Sequence, residues 1–394
     1  MTAAPSRLNE VLAQRRIDFA CAPVTAEARR RVQSVLASGW LTTGAETFEF
    51  ERRLGGLVHA AHTVAVSSCT AAIELSLRAL RLPTGAAVLT PTMTFCGAVH
   101  AIVHAGLKPV FVDVDPLTLV PRPEHVAAAA ARQRPAAMVV QHMAGYPAPV
   151  QELAVAAGLP LSRVVEDAAH GLGAEVGARP VGAISAATCF SFYATKNLPI
   201  GEGGAVTTDD EEVAAFVRQA RMHGLSADAW SRYLPGGSWR YTVESAGLKA
   251  NMSDVQAALG LGQLSAFAQW QHRRASLADE YERRLRAFDA VGLPARPSVG
   301  RHAWHLFIVR LVGGRADRDR VMAELSAAHI GTSVHFIPAH RFPYFRRLLG
   351  AAECDVCPEA DAVFPAILSL PLHPKLTHAD VRYVCDRLLD ACRC

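Results

Sequence analysis

The chain has 394 residues, of which 51% are hydrophobic and 19% are charged, which is the balance of an ordinary globular protein with room for a large domain and a smaller one. Its 40 basic and 36 acidic residues are interspersed, and the formal net charge of +4 excludes a strongly basic surface for nucleic acid or an anionic membrane. No apolar run approaches the roughly 20 residues of a membrane helix, and residues 1–16 lack the apolar segment of a signal peptide, so we expect a cytoplasmic protein.

The first half of the chain alternates predicted helices with short predicted strands. Two helices come first, at 22–39 and 46–54. Strands then follow at 63–66, 87–90, 109–114, 137–141 and 164–166, with helices between them at 71–80, 127–131 and 150–157. This alternation predicts a mostly parallel sheet with helices on both faces. No Gly-x-Gly-x-x-Gly turn follows the first strand, which argues against a dinucleotide-binding domain.

A small polar turn joins the first strand to its helix. Ser68, Cys69 and Thr70 stand where unpaired backbone N–H groups and the positive end of the helix dipole form a site for an anion. Simple capping of the helix by Ser68 or Thr70 would explain the same residues, and it is compatible with binding of a phosphate group.

A carboxylate follows the strand at 164–166. Ligands of open α/β sheets bind beyond the carboxyl ends of the strands, which is where Asp167 is expected. A carboxylate in that position can keep a pyridine nitrogen protonated, and Ala169 is small enough for a flat ring to lie against it. Asp167 could equally well cap the next helix.

A single lysine stands between a short apolar run and a glycine-rich turn. The run begins at Phe190, Lys196 follows it, and the turn at 201–204 leads into a strand at 205–207. Lysine forms Schiff bases, and burial lowers its pKa so that the free amine becomes available. Exposure on a loop is nevertheless the commoner outcome for a lysine.

The second half of the chain is predicted to contain a smaller α+β domain. We place the boundary at residue 270, within a helical run at 253–288, so that the two domains span 1–270 and 271–394. The other predicted elements are a helix at 210–224, a long loop at 226–248, strands at 303–311 and 332–336, and helices at 317–328 and 378–391. Cys354 and Cys357 have the spacing of a zinc or redox pair, but no second pair accompanies them, and we expect no metal.

Several of these motifs together resemble one enzyme family. The segment SFYATKN at 191–197, with GEGG at 201–204, resembles the lysine motif of the sugar-nucleotide aminotransferases, a branch of the fold-type I enzymes that use pyridoxal phosphate (PLP). The segment EDAAH at 166–170 resembles the motif that holds the pyridine nitrogen in that family. The resemblance extends from GWLTTG at 39–44 to LPLHP at 370–374.

The resemblance implies an α/β fold of type I, with a large PLP-binding domain on a mostly parallel sheet and a smaller α+β C-terminal domain. It implies that Lys196 carries PLP and acts as general acid and base, that Asp167 holds the ring nitrogen, and that Phe95 stacks on the ring opposite Ala169. The other residues that it implies for cofactor binding are Ser68, Cys69, Thr70, His170, Ser191, Lys249 and Asn251. Thr43 and His335 are implied to approach the substrate, with His340 near them.

Two positions have a more specific meaning in the family. Many members carry glycine where Cys69 stands, and cysteine resembles the subgroup that acts on 4-keto sugars. The segment 247–254 of family members often reaches the phosphate site of a neighbouring subunit, which implies a homodimer with composite active sites. Whether Lys249 or Asn251 makes that contact stays open.

The expected activity is transfer of an amino group, from glutamate, to a nucleotide-linked keto-sugar. An aminotransferase for keto-cyclitols on the same fold is an alternative. A PLP-dependent sugar dehydratase is another, but that branch has histidine in place of the lysine, so Lys196 counts against it. A catalytically silent PLP-fold binding protein would have lost the lysine or gained a DNA-binding module. The sequence keeps Lys196 and shows no such module.

Overall fold

A seven-stranded sheet forms the centre of the large domain in the computed structural model, which describes residues 16–226, 239–313 and 317–393. The strands of the described chain are β1 (His62–Val66), β2 (Ala87–Pro91), β3 (Lys108–Val112), β4 (Ala137–Gln141), β5 (Val164–Asp167), β6 (Glu175–Val176), β7 (Arg179–Pro180), β8 (Ala187–Ser191), β9 (Gly204–Thr208), β10 (Val291–Gly292), β11 (Gly300–Arg301), β12 (Phe307–Leu311) and β13 (Ile367–Leu370). The order in the large sheet is β1-β9-β8-β5-β4-β2-β3, and β9 is antiparallel to both neighbours. The predicted mostly parallel sheet is confirmed, with β2, β3, β4, β5 and β8 paired in parallel.

Helices cover both faces of this sheet and form most of the second domain. Those in the described chain are Ala26–Ser38, Ala45–Val58, Cys69–Ala79, Cys96–His104, Pro123–Gln133, Val150–Ala156, Glu211–Ala220, Asp254–Leu264, Phe267–Leu285, Arg318–Ala327, Pro343–Leu349, Ala351–Cys354, Pro358–Val363 and His378–Arg393. Single 3-10 turns occur at Met143–Gly145, Leu161–Arg163, Ala339–Arg341 and Phe364–Ala366. None of the described helices is long and apolar enough to cross a membrane.

The large sheet is buried on both faces because successive side chains of a strand point in opposite directions. In β1, Val64 and Val66 pack in one core while Ala65 packs in another. In β5, Val164 and Val165 likewise belong to different cores. Because these strands are covered on both sides, polar groups that react with a ligand are left to the strand ends.

The smaller domain contains a three-stranded antiparallel sheet in the order β10-β12-β13. Its core joins the helices Phe267–Leu285 and His378–Arg393 to β12, and the fully buried Tyr281 donates from its hydroxyl to the Pro371 carbonyl at 2.8 Å. The predicted α+β character of this region is therefore confirmed. The boundary at residue 270 falls inside the helix Phe267–Leu285 and stays a prediction.

Three predicted elements of the second half were wrong in their extent. The strand predicted at 303–311 begins only at Phe307. The helical run at 253–288 is two helices, Asp254–Leu264 and Phe267–Leu285, joined by a tight turn in which the Ala266 amide donates to the Gln263 carbonyl at 3.1 Å. The strand at 332–336 is reduced to one bridge between Ser333 and Ser369, since the side chains of His335 and Phe336 turn into a cavity. The loop predicted at 226–248 lies partly outside the described residues.

Candidate active site

A cavity of about 470 Å³ opens at the carboxyl edge of the large sheet. The carboxyl ends of β1, β5 and β8 meet there because these strands share one direction. Ten of the thirteen residues predicted for the site line this cavity: Ser68, Cys69, Thr70, Phe95, Asp167, Ala169, His170, Ser191, Lys196 and His335.

Lys196 lies in a tight loop between β8 and β9. The loop is closed by hydrogen bonds from the Phe192 amide to the Gly203 carbonyl and from the Lys196 amide to the Tyr193 carbonyl, each 2.9 Å long. The half-buried amine lines the cavity, and burial lowers the pKa of Lys196 to about 8, although the Asp167 carboxylate partly opposes this shift. A substantial fraction of the amine is therefore uncharged near neutral pH.

Asp167 is the last residue of β5, and only 4% of its surface is exposed. Its Oδ1 accepts hydrogen bonds from the Ala169 amide at 3.0 Å and from the Cys69 thiol at 3.8 Å. Burial raises the pKa of this carboxyl group, while the Ala169 amide and the Lys196 charge lower it. A cationic partner in the cavity would therefore stabilise the ionised form.

The neighbouring Glu166 points to the opposite face of the strand and has a structural role. Its carboxylate is fully buried, and Oε2 lies 2.9 Å from His142 Nε2 while Oε1 accepts from the hydroxyls of Ser185 and Thr188. The alternation of the strand thus separates a buried, hydrogen-bonded carboxylate at Glu166 from a cavity-facing carboxylate at Asp167.

The polar turn after β1 has the geometry of an anion site. Ser68 caps the eleven-residue helix Cys69–Ala79, and its hydroxyl accepts from the Ala71 amide at 3.1 Å. The capping predicted for Ser68 is confirmed, and the first amides of the helix have no partner within it. Strand β9 approaches this turn so closely that a Cβ atom on Gly204 would lie 2.6 Å from the Cys69 nitrogen.

The substitution Gly204→Ala is expected to push this turn away from β9. Such overpacking costs about 1–3 kcal/mol of stability, and the affinity for a phosphate group should fall with it. Gly56→Ala is the matched control, because it lies on an exposed helix face with no atom within 4 Å of the new Cβ and should stabilise the protein by about 0.5–1 kcal/mol. Thermal melts and PLP titrations of both variants test this, and an unperturbed Gly204→Ala protein would contradict the close approach.

Aromatic and imidazole rings form the rest of the wall. Phe95 is 60% exposed, and its ring centroid lies 6.1 Å from that of Phe336. His170 accepts from the Ala144 amide at Nδ1 over 3.2 Å, and burial keeps its pKa well below the usual value. His335 lies 2.8 Å from the Ser369 hydroxyl and stacks on Phe19, and burial lowers its pKa to about 4.

The other three of the thirteen, Thr43, Lys249 and Asn251, do not line the cavity of this chain. Thr43 is buried, where its hydroxyl donates to the Met252 carbonyl at 2.5 Å and accepts from Asn251 Nδ2 at 2.8 Å. Lys249 is exposed, and its amine lies 3.1 Å from Met222 Sδ. His340 is also elsewhere, between the hydroxyl of Thr92 and a carboxylate.

The paired cysteines Cys354 and Cys357 lie in the core of the protein, where burial raises the pKa of both thiols. Within residues 16–226, 239–313 and 317–393, no group of three or more His, Cys, Asp or Glu side chains is arranged to hold a metal ion.

The structure also adds residues to the cavity that the sequence did not reveal. The main additions are Phe19, Tyr193, Glu202, His305 and Phe336. His305 could have been suspected from the segment HAWHLF at 302–307, where two histidines precede a buried strand. Phe19 and Phe336 gave no such signal, because they come from opposite ends of the chain.

The residues present fit PLP. The polar turn at Ser68, which can bind an anion, lines the cavity. So do Asp167, a buried carboxylate with one oxygen free at the end of β5, and Lys196, whose pKa is lowered. Phe95 and Ala169 line the same space, which suits a flat ring.

Comparison with known proteins agrees with a PLP site. Residues 23–389 match the DegT/DnrJ/EryC1/StrS aminotransferase family. The chain is 41% identical, over 92% of its length and 94% of the relative, to the spore coat polysaccharide biosynthesis protein SpsC of Bacillus subtilis. The PMP form of the putative sugar aminotransferase Spr1654 from Streptococcus pneumoniae superposes with a TM-score of 0.88 at 30% identity, covering 96% of this chain and 99% of that one.

A further solved structure, DesI in the presence of its TDP-sugar product, superposes with a TM-score of 0.83 at 33% identity, covering 96% of this chain and 94% of that chain. Spr1654 is also known in a PLP form. These neighbours confirm the fold-type I architecture and the dependence on PLP. The chain therefore belongs to the DegT/DnrJ/EryC1/StrS family of PLP-dependent sugar aminotransferases.

Proposed function

We propose that this sugar aminotransferase transfers an amino group from glutamate to the keto group of a nucleotide-linked sugar. The observation that carries the proposal is the placement of the Lys196 amine and the Asp167 carboxylate on one cavity, with the polar turn at Ser68 beside them. The nucleotide-linked substrate is supported by the similarity to DesI, whose structure was determined with a TDP-sugar product.

PLP, when bound, supplies an aldehyde that accepts and returns the amino group and a ring that withdraws electrons from the reacting carbon. Lys196 holds the cofactor covalently between turnovers. Its Nζ then takes the α proton of the amino donor and returns a proton during amination of the sugar. A pKa of about 8 suits both directions of this transfer near neutral pH.

Asp167 keeps the ring nitrogen protonated through the carboxylate oxygen that its bond to the Ala169 amide leaves free. Ser68, Cys69 and Thr70 bind the phosphate through the start of their helix, and Ser191 adds a hydroxyl. Phe95 and Ala169 would pack against the ring of the cofactor, and His170 and His335 line the same cavity as neutral polar groups.

The test is a pair of half-reactions with the purified holoprotein. Glutamate should bleach the near-visible absorbance of the bound cofactor and release oxoglutarate. A panel of nucleotide-linked keto-sugars should then restore the absorbance, with the amino-sugar detected by mass spectrometry. If only keto-cyclitols restore the absorbance, the substrate is a cyclitol instead of a sugar. Failure of every amino donor to bleach the absorbance would overturn the proposal.

The pH dependence of cofactor attachment follows from the lowered pKa of Lys196. Only the free amine attacks an aldehyde, so attachment is slow below the lysine pKa and reaches its plateau above it. With a pKa of about 8, about one-tenth of the amine is free at pH 7, compared with less than about one-thousandth for an ordinary lysine. Stopped-flow mixing of apoprotein with PLP from pH 6 to 9.5 should give a midpoint near 8. A midpoint above 10 would show that the amine is not desolvated.

We further propose a homodimer in which each subunit completes the phosphate site of the other. The turn at Ser68 and the Ser191 hydroxyl are neutral donors, whereas a phosphate carries about two negative charges. Lys249 is exposed and lies at the end of the loop before the helix Asp254–Leu264, which suits a contact outside its own chain. Isologous symmetry then places two equivalent sites in the dimer.

Subunit mixing tests this arrangement. Combining the Lys196→Ala protein with a Lys249→Ala/Asn251→Ala variant should restore part of the activity, because one site of the mixed dimer receives intact residues from both chains. The two parent variants incubated separately are the control. A fully active monomer at assay concentration would contradict the composite site.

A further inference from the structure

His305 lines the cavity but has no role in the proposed chemistry, and its position is tightly constrained. Its side chain is 5% exposed, and its ring centroid lies 4.4 Å from that of His170. The preceding residue, Trp304, has a φ of 48°, a left-handed backbone conformation that is costly for a bulky side chain. Such strain persists only where the surroundings impose it.

A buried arginine holds this segment from behind. Arg274 is 3% exposed, and its Nη1 donates to the carbonyls of Trp304 and His305 at 3.2 Å each and to that of Leu372 at 2.7 Å. From the other side, the His305 amide donates to the Ala144 carbonyl at 2.9 Å. The backbone of His305 is therefore clamped between the two domains.

The side chain is oriented by the residue that follows the lysine. Asn197 Nδ2 donates to the Ala303 carbonyl at 2.8 Å and to Gln271 Oε1 at 3.0 Å. Because a carbonyl oxygen only accepts, the amide of Asn197 cannot be reversed, and its Oδ1 must be the atom that lies 3.0 Å from His305 Nδ1. His305 Nδ1 therefore carries the proton.

This assignment determines the character of the other ring nitrogen. In a neutral imidazole with a protonated Nδ1, Nε2 is an acceptor with a lone pair. Burial, with the nearby His170 and Lys196, keeps the pKa of His305 well below its usual value, which favours the neutral ring. The rings of His170 and His305 are tilted by 36° to each other.

We propose that Nε2 of His305 accepts a hydrogen bond from a hydroxyl group of the sugar substrate and so selects keto-sugars that carry this hydroxyl. The proposal rests on the proposed function, since it names a specificity residue for the same site. A clamped, neutral acceptor on the wall of the cavity that holds the reacting lysine disfavours a substrate that lacks the hydroxyl, because the hydrogen bond to Nε2 is then lost.

Two experiments test the inference in the holoenzyme. The first is long-range ¹H–¹⁵N NMR of protein labelled at histidine, with the His305 signals identified by their loss in His305→Asn. We expect Nδ1 to be protonated and Nε2 to be unprotonated. A protonated Nε2 would overturn the inference, and this result does not depend on any sugar.

The second experiment compares substrates. The probes are a thymidine-diphosphate-linked 4-keto hexose and its monodeoxy analogues. Wild-type protein should prefer the parent over one analogue by about 10- to 100-fold in kcat/KM, with most of the difference in KM. His305→Asn keeps an N–H at the δ position for Asn197 but removes the acceptor, so its preference should fall to within about threefold.

His302→Asn is the matched control on the same segment. His302 is also buried, accepts from the Trp304 amide at Nδ1 over 2.8 Å and stacks on the Trp304 ring, but it does not line the cavity. This variant should lose stability and keep the wild-type preference. Equal preference in wild type and His305→Asn would overturn the inference, whereas turnover of no keto-sugar by any variant would instead overturn the proposed function.

Discussion

Lys196→Ala is expected to abolish both half-reactions and the near-visible absorbance of the bound cofactor. The lysine both holds PLP and moves the proton, and a positioned acid–base group alone contributes up to about 10⁴-fold in rate. None of the other three lysines of the chain, Lys108, Lys249 and Lys375, lines the cavity. Single-turnover absorbance measurements with glutamate should therefore show a loss of about 10⁴-fold or more.

Lys375→Ala is the control for this prediction, because Lys375 is exposed and does not line the cavity. That variant should keep the wild-type spectrum and rate. Full turnover by purified Lys196→Ala protein would remove the lysine from the mechanism.

Asp167→Asn is expected to slow both half-reactions by about 10²- to 10³-fold while PLP still binds. The amide has almost the shape of the carboxylate but cannot hold a positive charge on the ring nitrogen. Removing one partner of a buried charge pair costs about 3–5 kcal/mol, and each 1.36 kcal/mol that appears in the barrier is tenfold in rate.

The spectrum of the cofactor separates this effect from general damage. Asp167→Asn protein should bind PLP through Lys196 and the turn at Ser68, with a normal melting transition and an altered pH dependence of the absorbance. Asp113→Asn is a useful comparison, since Asp113 is also buried but binds the amides of Glu359 and Ala360 away from the cavity. That variant should lose stability with no change in the spectrum, and wild-type rates in Asp167→Asn would exclude Asp167 from catalysis.

The parts of the site that the sequence predicted are those that follow strands of the large sheet. Asp167, Ser191 and the turn at Ser68 each come directly after a buried apolar run, and parallel strands bring their carboxyl ends to one edge. Lys196 was recognisable because a glycine-rich turn follows it. Local pattern and sheet topology predicted where these residues lie, whereas the resemblance to the aminotransferase family was needed to choose their roles.

The parts that the sequence did not predict depend on contacts between distant segments. His305 enters the cavity because Arg274 and Asn197 hold a strained loop, and none of these contacts leaves a periodic signal. The segment at 332–336 was predicted as a strand, yet Phe336, which was not predicted for the site, lines the cavity beside the predicted His335. The break at residues 265–266 is a tight turn through which the helical pattern of the sequence continues, so periodicity could not reveal it.

The most direct test of the account is to identify the lysine that holds PLP. Borohydride reduction of the holoprotein fixes the cofactor to its lysine, and digestion followed by mass spectrometry then locates the added mass among the four lysines of the chain. We predict that the label is found on the peptide that contains Lys196, and that it disappears when glutamate is added before reduction. Labelling of Lys108, Lys249 or Lys375 in its place, or no labelling of a protein that binds PLP, would contradict the account.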